Sequence, residues 1–259
     1  MPKFSANLSM LFGELPFLDR FAAAAEAGFT AVEYLFPYSY EKEELAARLR
    51  EHGLSQVLHN LPAGDWDSGE RGIACLPDRI EEFREGVERA LEYSTALDCP
   101  RVNCLAGVVP PDLSVEKAEH TLVGNLQYAA QKLAEAGKSL LVEALNTRDV
   151  PGFLVNGTEQ TVRILDRVGA SNVYVQYDVY HMQRMEGDLT RTLEGNLSRI
   201  GHIQIADNPG RHEPGTGEIN YDFLFGALDR MGYDGWIGCE YVPARSTAEG
   251  LDWLKPYLR

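Results

Sequence analysis

The sequence predicts a single (β/α)8 barrel formed by residues 1–259. Three observations predict it. Eight short runs rich in β-branched, aromatic and other apolar residues alternate with amphipathic helical runs. The 259 residues divide into units of about 32, close to the ~250 residues of a typical barrel of this kind. No G-x-G-x-x-G follows the first run, which weakens the competing doubly wound sheet that binds dinucleotides.

The first unit pairs "FSANL" (4–8) with a helical stretch at 16–27, stopped by Gly28. The second pairs "AVEYL" (31–35) with 41–52, stopped by Gly53. The third, "SQVLHNL" (55–61), is separated from its helix (78–98) by a long loop. The fourth pairs "RVNCLAG" (101–107) with 114–136, where Ser114 is an N-cap with an acid shortly after and Gly137 ends the run. "SLLVEAL" (139–145) leads to 157–168 and Gly169, and "VYVQYDV" (173–179) to 188–199. "GHIQIAD" (201–207) leads to 220–231 and Gly232. "WIGCEYV" (236–242) precedes a closing helix at 247–258, with Thr247 as its N-cap.

Composition narrows the function classes. A net charge of −15 disfavours contact with a phosphate backbone or an anionic membrane surface. Most of this charge lies on helical stretches such as "EKEELAARLREHG" and reads as solvated helix faces. No apolar run approaches the ~18 residues of a membrane span, and the N-terminus does not read as a signal peptide. Cys75, Cys99, Cys104 and Cys239 form no C-x-x-C pair, so they read as buried reduced thiols. The expectation is a cytoplasmic protein that uses neither nucleic acid nor membrane as a partner; a homo-oligomer stays open.

The informative stretch is "GWIGCEYVP", where Glu240 sits in an apolar run. A carboxylate there is costly unless it is paired, protonated or coordinated. Strand side chains alternate faces. Glu143, Asp178, Gln204 and Glu240 each have apolar neighbours suited to the helix-covered face, so all four are expected to point into the barrel late in strands five to eight. Barrel active sites lie at that end. Three carboxylates and an amide, with no Lys or Arg at a matching strand position, call for a cation or for strongly raised pKa values. All-oxygen ligation suits a hard divalent ion such as Mg2+ or Mn2+. The plain alternative is four separate polar residues, each satisfied locally. Glu33 is a fifth inward candidate, either supporting the cluster or touching substrate.

Loops after strands three, six and seven supply basic groups. They carry His59, Asn60, Trp66 and Arg71; then His181; then Asp207, Arg211 and His212. Arg211 and Arg71 offer planar forks for a substrate carboxylate. His181 and His59 are candidates for contacting substrate oxygens, Trp66 reads as a loop anchor, and His202 reads as a buried strand histidine.

The stretches "FSANLSMLFGE", "LHNLPAGDWDSGERGIACLP", "YDVYHMQRMEGDLT", "IGHIQIADNP", "EPGTGEINYD" and "GWIGCEYVP" resemble the hydroxypyruvate isomerase family, within the wider xylose-isomerase-like barrels. The resemblance covers essentially the whole chain. It implies isomerisation of a small hydroxy-keto acid, hydroxypyruvate to tartronate semialdehyde, through an enediolate. It implies that Glu143 and Glu240 are the catalytic acid/base pair and that Glu143, Asp178, Gln204 and Glu240 are the metal set. It also implies that His181 and Arg211 are substrate contacts. Related sugar epimerases have a histidine where Gln204 stands, a departure that bears on the metal. Three rivals stand beside this reading. One is an isomerase or epimerase of a longer sugar or sugar acid such as 2-oxo-tetronate. The others are a metal-dependent endonuclease and a non-catalytic binding protein that kept the barrel.

Overall fold

The computed structural model describes residues 1–257. Eight parallel strands close into a barrel in sequence order: β1 (Lys3–Asn7), β2 (Ala31–Glu33), β3 (Ser55–Asn60), β4 (Arg101–Cys104), β5 (Ser139–Glu143), β6 (Val173–Asp178), β7 (Ile200–Ile205) and β8 (Trp236–Cys239). β8 pairs back onto β1, with Ser5 opposite Gly238. Closure leaves no edge strand to protect.

The expected alternation of faces holds. Val142, Ala144, Tyr177, Ile203, Ile205, Cys239 and Tyr241 all pack in the core between barrel and helices. A smaller apolar group of Ala31, Val57, Leu58 and Leu141 lies on the other side of the strands, with Tyr174 and Trp236 against it. The ring of helices comprises α1 (Arg20–Glu26), α2 (Lys42–Glu51), α3 (Ile80–Ala96), α4 (Val115–Glu135), α5 (Thr158–Val168), α6 (Val179–Met185), α7 (Leu189–Asn196) and α8 (Tyr221–Met231). Ser114 caps α4 as expected, its hydroxyl accepting the Lys117 N–H at 3.2 Å. Ser114→Ala is expected to cost about 1 kcal/mol, read as a Tm lower by about 2–4 °C.

Three features differ from the sequence reading. α6 was not anticipated: Asp178 ends β6 and at once caps a seven-residue helix, its Oδ1 accepting the N–H groups of Tyr180 (2.7 Å) and His181 (3.2 Å). The closing helix is a 3₁₀ segment, Glu249–Tyr257, and holds Pro256, whose ring and missing N–H oppose α-helical bonding. Position 258, the predicted end, lies outside the described residues. Thr247 does not cap that segment; it is buried and its hydroxyl accepts the Phe12 N–H at 2.6 Å, tying the β8 loop to the β1 loop.

Candidate active site

A cavity of about 250 Å3 opens at the C-terminal end of the strands and is lined by Asn60, Trp66, Arg71, Glu143, His181, Arg211 and Glu240, with apolar Leu35, Leu105 and Leu145 among its walls. Two glutamates line it, and each accepts a hydrogen bond from an asparagine. Glu143 ends β5, and its Oε2 accepts from Asn103 Nδ2 on β4 at 3.0 Å. Glu240 follows β8, and its Oε1 accepts from Asn7 Nδ2 on β1 at 3.3 Å. The sequence reading missed both asparagines. The parity rule that picked out the carboxylates would have found them, since "SANL" and "VNCL" each place a polar residue between apolar ones.

The site carries more negative charge than its cations offset. Glu143 is held well above the ordinary carboxylate range by burial, then by the charges of Glu240 and Asp178. Burial also raises Glu240, to about 8, although Arg211 pulls the other way. These two groups titrate as a pair, and at neutral pH the pair holds a proton. Arg211 Nη2 lies 2.9 Å from Glu240 Oε2 and 3.9 Å from Asp178 Oδ2, so its guanidinium sits between two of the three carboxylates.

Arg211 is placed by the loop between β7 and α8. Asp207 is buried at the loop base, and its carboxylate accepts the N–H groups of Asn208, Gly215, Gly217 and Ile219 at 2.9–3.1 Å. A Cβ at position 217 would run into the Asn208 carbonyl, so only glycine lets the loop close on Asp207. Arg211 itself has φ 56°, and its guanidinium lies 5.1 Å from the Tyr180 ring.

Arg71 and Trp66 come together in the β3 loop: the guanidinium stacks 4.0 Å over the indole, while Nη1 donates to the carbonyls of Trp66 and Glu70. His59 does not join them. It is fully buried, with Nδ1 3.4 Å from the Tyr38 hydroxyl and 3.2 Å from the Asn60 carbonyl, and its neighbour Asn60 faces the cavity instead. Adjacent strand residues take opposite faces, so Asn60 and His59 cannot both line the cavity. His212 turns outward, with Nδ1 2.7 Å from the Val242 carbonyl.

Gln204 also departs from its expected place. The register sets Asp178 opposite Gln204 and Gln204 opposite Gly238, so Glu240 stands one inward position further along its strand. From this lower level Gln204 Nε2 donates to Glu33 Oε1 (2.8 Å), and its Oε1 accepts from Gln176 (2.6 Å). Glu33 is the centre of this floor, also contacted by Ser5 (3.0 Å), Asn7 (3.1 Å) and the ring of His202 (2.7 Å). Burial acts to raise the Glu33 pKa, but His202 and the converging amides outweigh it and leave it lowered. A Cβ at Gly238 would clash with the Glu33 carboxylate, so glycine there makes the room. Glu33 thus supports the cluster from below, and Asn7 links it to Glu240.

The residues whose ligand atoms lie within 4.8 Å of one another are Glu143, Asp178 and His181. Asp178 Oδ2 is a buried oxygen with no hydrogen-bond partner among the described residues. An orphaned carboxylate oxygen beside Glu143 fits a hard divalent ion. Gln204, with both ends of its amide engaged, does not fit that role as placed.

A family model described as Xylose isomerase-like TIM barrel matches residues 21–257. The chain belongs to that family. It is 54% identical to a hydroxypyruvate isomerase of Escherichia coli over 99% of this chain and 100% of the relative. It is 50% identical to a 2-oxo-tetronate isomerase of Pectobacterium atrosepticum over 100% of this chain and 98% of that one. A solved structure from Brucella melitensis, described as an AP endonuclease of family 2, superposes with a TM-score of 0.98 at 48% identity, each chain covered in full. Membership accords with the closed eight-stranded barrel. Among the described residues no helix is long and apolar enough to cross a membrane.

Proposed function

We propose that this family member is a hydroxypyruvate isomerase, interconverting hydroxypyruvate and tartronate semialdehyde. The observation that carries the proposal is the pair Glu143 and Glu240 lining one small cavity, both carboxyls raised by burial, with Arg211 2.9 Å from Glu240. The 54% identical relative named for this activity supports it. The cavity is at or below the lower end of the ~300–1,000 Å3 of small-molecule sites, which suits a three-carbon acid.

Glu240, next to the guanidinium, is the base, and Glu143, without a cation in hydrogen-bonding reach, carries the proton. Glu240 takes a proton from the hydroxymethyl carbon, and the electrons move onto the adjacent carbonyl oxygen as an enediolate forms. Arg211 and the His181 ring stabilise that oxygen. A proton is then delivered to the former carbonyl carbon, the other hydroxyl loses its proton, and its carbon becomes the aldehyde. Arg71, stacked on Trp66, holds the substrate carboxylate. A Mg2+ or Mn2+ ion, bound through Glu143, Asp178 and Glu240 in place of the shared proton, would supply fixed positive charge beside the substrate oxygens. After chelation and desalting, the protein is expected to bind one Mn2+ per chain by EPR, and Asp178→Asn to abolish it. No binding would leave Arg211 and the shared proton as the only compensation.

The function is tested by following hydroxypyruvate in D2O by NMR. Tartronate semialdehyde carrying solvent deuterium at its new C–H position is expected. A folded protein that leaves hydroxypyruvate untouched would overturn the reading. The 50% identical relative named as a 2-oxo-tetronate isomerase supports a second substrate one carbon longer, and the two are separated by comparing kcat/KM. An endonuclease activity is disfavoured by the net charge of −15 and by a cavity lined by acids rather than a basic groove. The proposed compartment is the cytoplasm.

A further inference from the structure

His181 lies in the first turn of α6, 2% exposed, with its ring at the cavity wall. Its Nδ1 faces two donors from one residue. The backbone N–H of Asn146 points at Nδ1 from 3.1 Å, and Asn146 Nδ2 lies 2.7 Å away. A backbone N–H can only donate, so Nδ1 must be the acceptor and carry no proton. The neutral ring then has its single proton on Nε2.

Asn146 is itself locked. It is fully buried, its Oδ1 accepts the N–H groups of Arg148 (3.1 Å) and Asp149 (2.9 Å), and its Nδ2 also donates to Asp149 Oδ2 at 2.9 Å. With Oδ1 committed to backbone donors, the amide cannot flip to offer Nδ1 an acceptor. Nε2 lies 3.7 Å from Asp178 Oδ2, beyond hydrogen-bonding distance, so its N–H is not spent on that carboxylate.

We propose that the backbone N–H of Asn146, held in place by the amide's bonds to residues 148 and 149, fixes His181 in the Nε2–H tautomer, making His181 a hydrogen-bond donor to the substrate oxygen that becomes the enediolate oxygen. The closeness of His181 to Glu143 and Asp178 then marks a place for an oxygen atom. Nε2, carrying a proton, has no lone pair for an ion. The assignment of the oxygen rests on the isomerase reading; the tautomer does not.

The test is a long-range 1H–15N correlation spectrum of the imidazoles of 15N-labelled full-length protein without substrate, with His181 assigned by its loss in His181→Gln. Nε2 is expected at the position of a protonated nitrogen and Nδ1 at that of an unprotonated one. Nδ1 found protonated overturns the proposal. Asn146→Asp puts a carboxylate oxygen where Nδ2 stands, 2.7 Å from Nδ1, and its charge is expected to draw the proton there against the backbone N–H. It should lower kcat by about 10²-fold, the cost of losing one donor to a developing oxyanion, with KM little changed. Asn146→Ala keeps the backbone donor and is expected to keep both the tautomer and most of kcat, which separates tautomer control from loosened packing. A proton moved to Nδ1 with kcat undiminished would also overturn the role. If the Asp variant fails to fold, the wild-type spectrum and the Ala variant decide. If the protein does not turn over hydroxypyruvate, the spectrum still reports the tautomer, so the two failures are distinguishable.

Discussion

Glu143→Gln and Glu240→Gln are each expected to lower kcat by about 10²–10⁴-fold, the usual contribution of a positioned acid or base. They differ in what they do to the fold. Glu143 is neutral at rest, because burial and the charges of Glu240 and Asp178 hold its proton on. Glutamine is close to isosteric with the protonated acid and can still accept from Asn103. Glu143→Gln is therefore expected to melt at or above the wild-type temperature. Glu240 is the carboxylate partner of Arg211 at 2.9 Å, and replacing it leaves that guanidinium with a neutral amide, so Glu240→Gln is expected to melt below Glu143→Gln. Deuterium exchange into hydroxypyruvate adds a second reading. Loss of the base abolishes exchange along with turnover, whereas loss of the acid can leave exchange at the hydroxymethyl carbon running after conversion has stopped. Wild-type turnover in both variants would remove the pair from the chemistry.

The barrel and its inward carboxylates were legible because both rest on short-range periodicity. Alternation by two put Glu143 and Glu240 on the cavity side and Tyr177, Ile203 and Cys239 under the helices. Levels along the barrel were not legible, since they depend on register between strands. Gln204 shares its parity with Glu240 but sits opposite Gly238, one step lower, and so belongs to the Glu33 floor. Loop residues were legible as types without partners. The fork of Arg211 was read as a grip for a carboxylate, but the carboxylate it holds in the structure is Glu240, because Asp207 gathers four backbone donors and folds the loop inward. α6 stayed hidden because seven residues give too short a pattern, although Asp178 already had the chemistry of an N-cap. His59 was read one residue out of phase with Asn60, and its burial has a thermodynamic consequence.

Acid is expected to destabilise the fold through two histidines. His59 and His181 are both buried, and burial lowers each from 6.5 to about 4; for His59 the hydrogen bond to the Asn60 carbonyl opposes this only in part. Between pH 6.5 and 4 the unfolded chain therefore takes up protons that the folded chain refuses. The stability these rings contribute is complete above pH 6.5 and is lost as pH falls toward 4, by about 3 kcal/mol each. The Glu143–Glu240 pair acts with the opposite sign. Its raised titration means that the folded state holds a proton the unfolded state lacks, so its contribution grows as pH falls from about 8 toward 4.5. The two effects overlap between pH 6.5 and 4.5, and the wild-type profile there shows only their difference. A variant separates them. Relative to wild type, His59→Asn is expected to gain about 3 kcal/mol between pH 6.5 and 4 in denaturant melts, because asparagine has no proton to refuse. Glu143→Gln, which removes the member that carries the shared proton, is expected to lose ground against wild type from pH 8 downward. An offset between His59→Asn and wild type that does not change with pH would mean that His59 titrates alike in both states, and the burial of its ring would then carry no cost in charge.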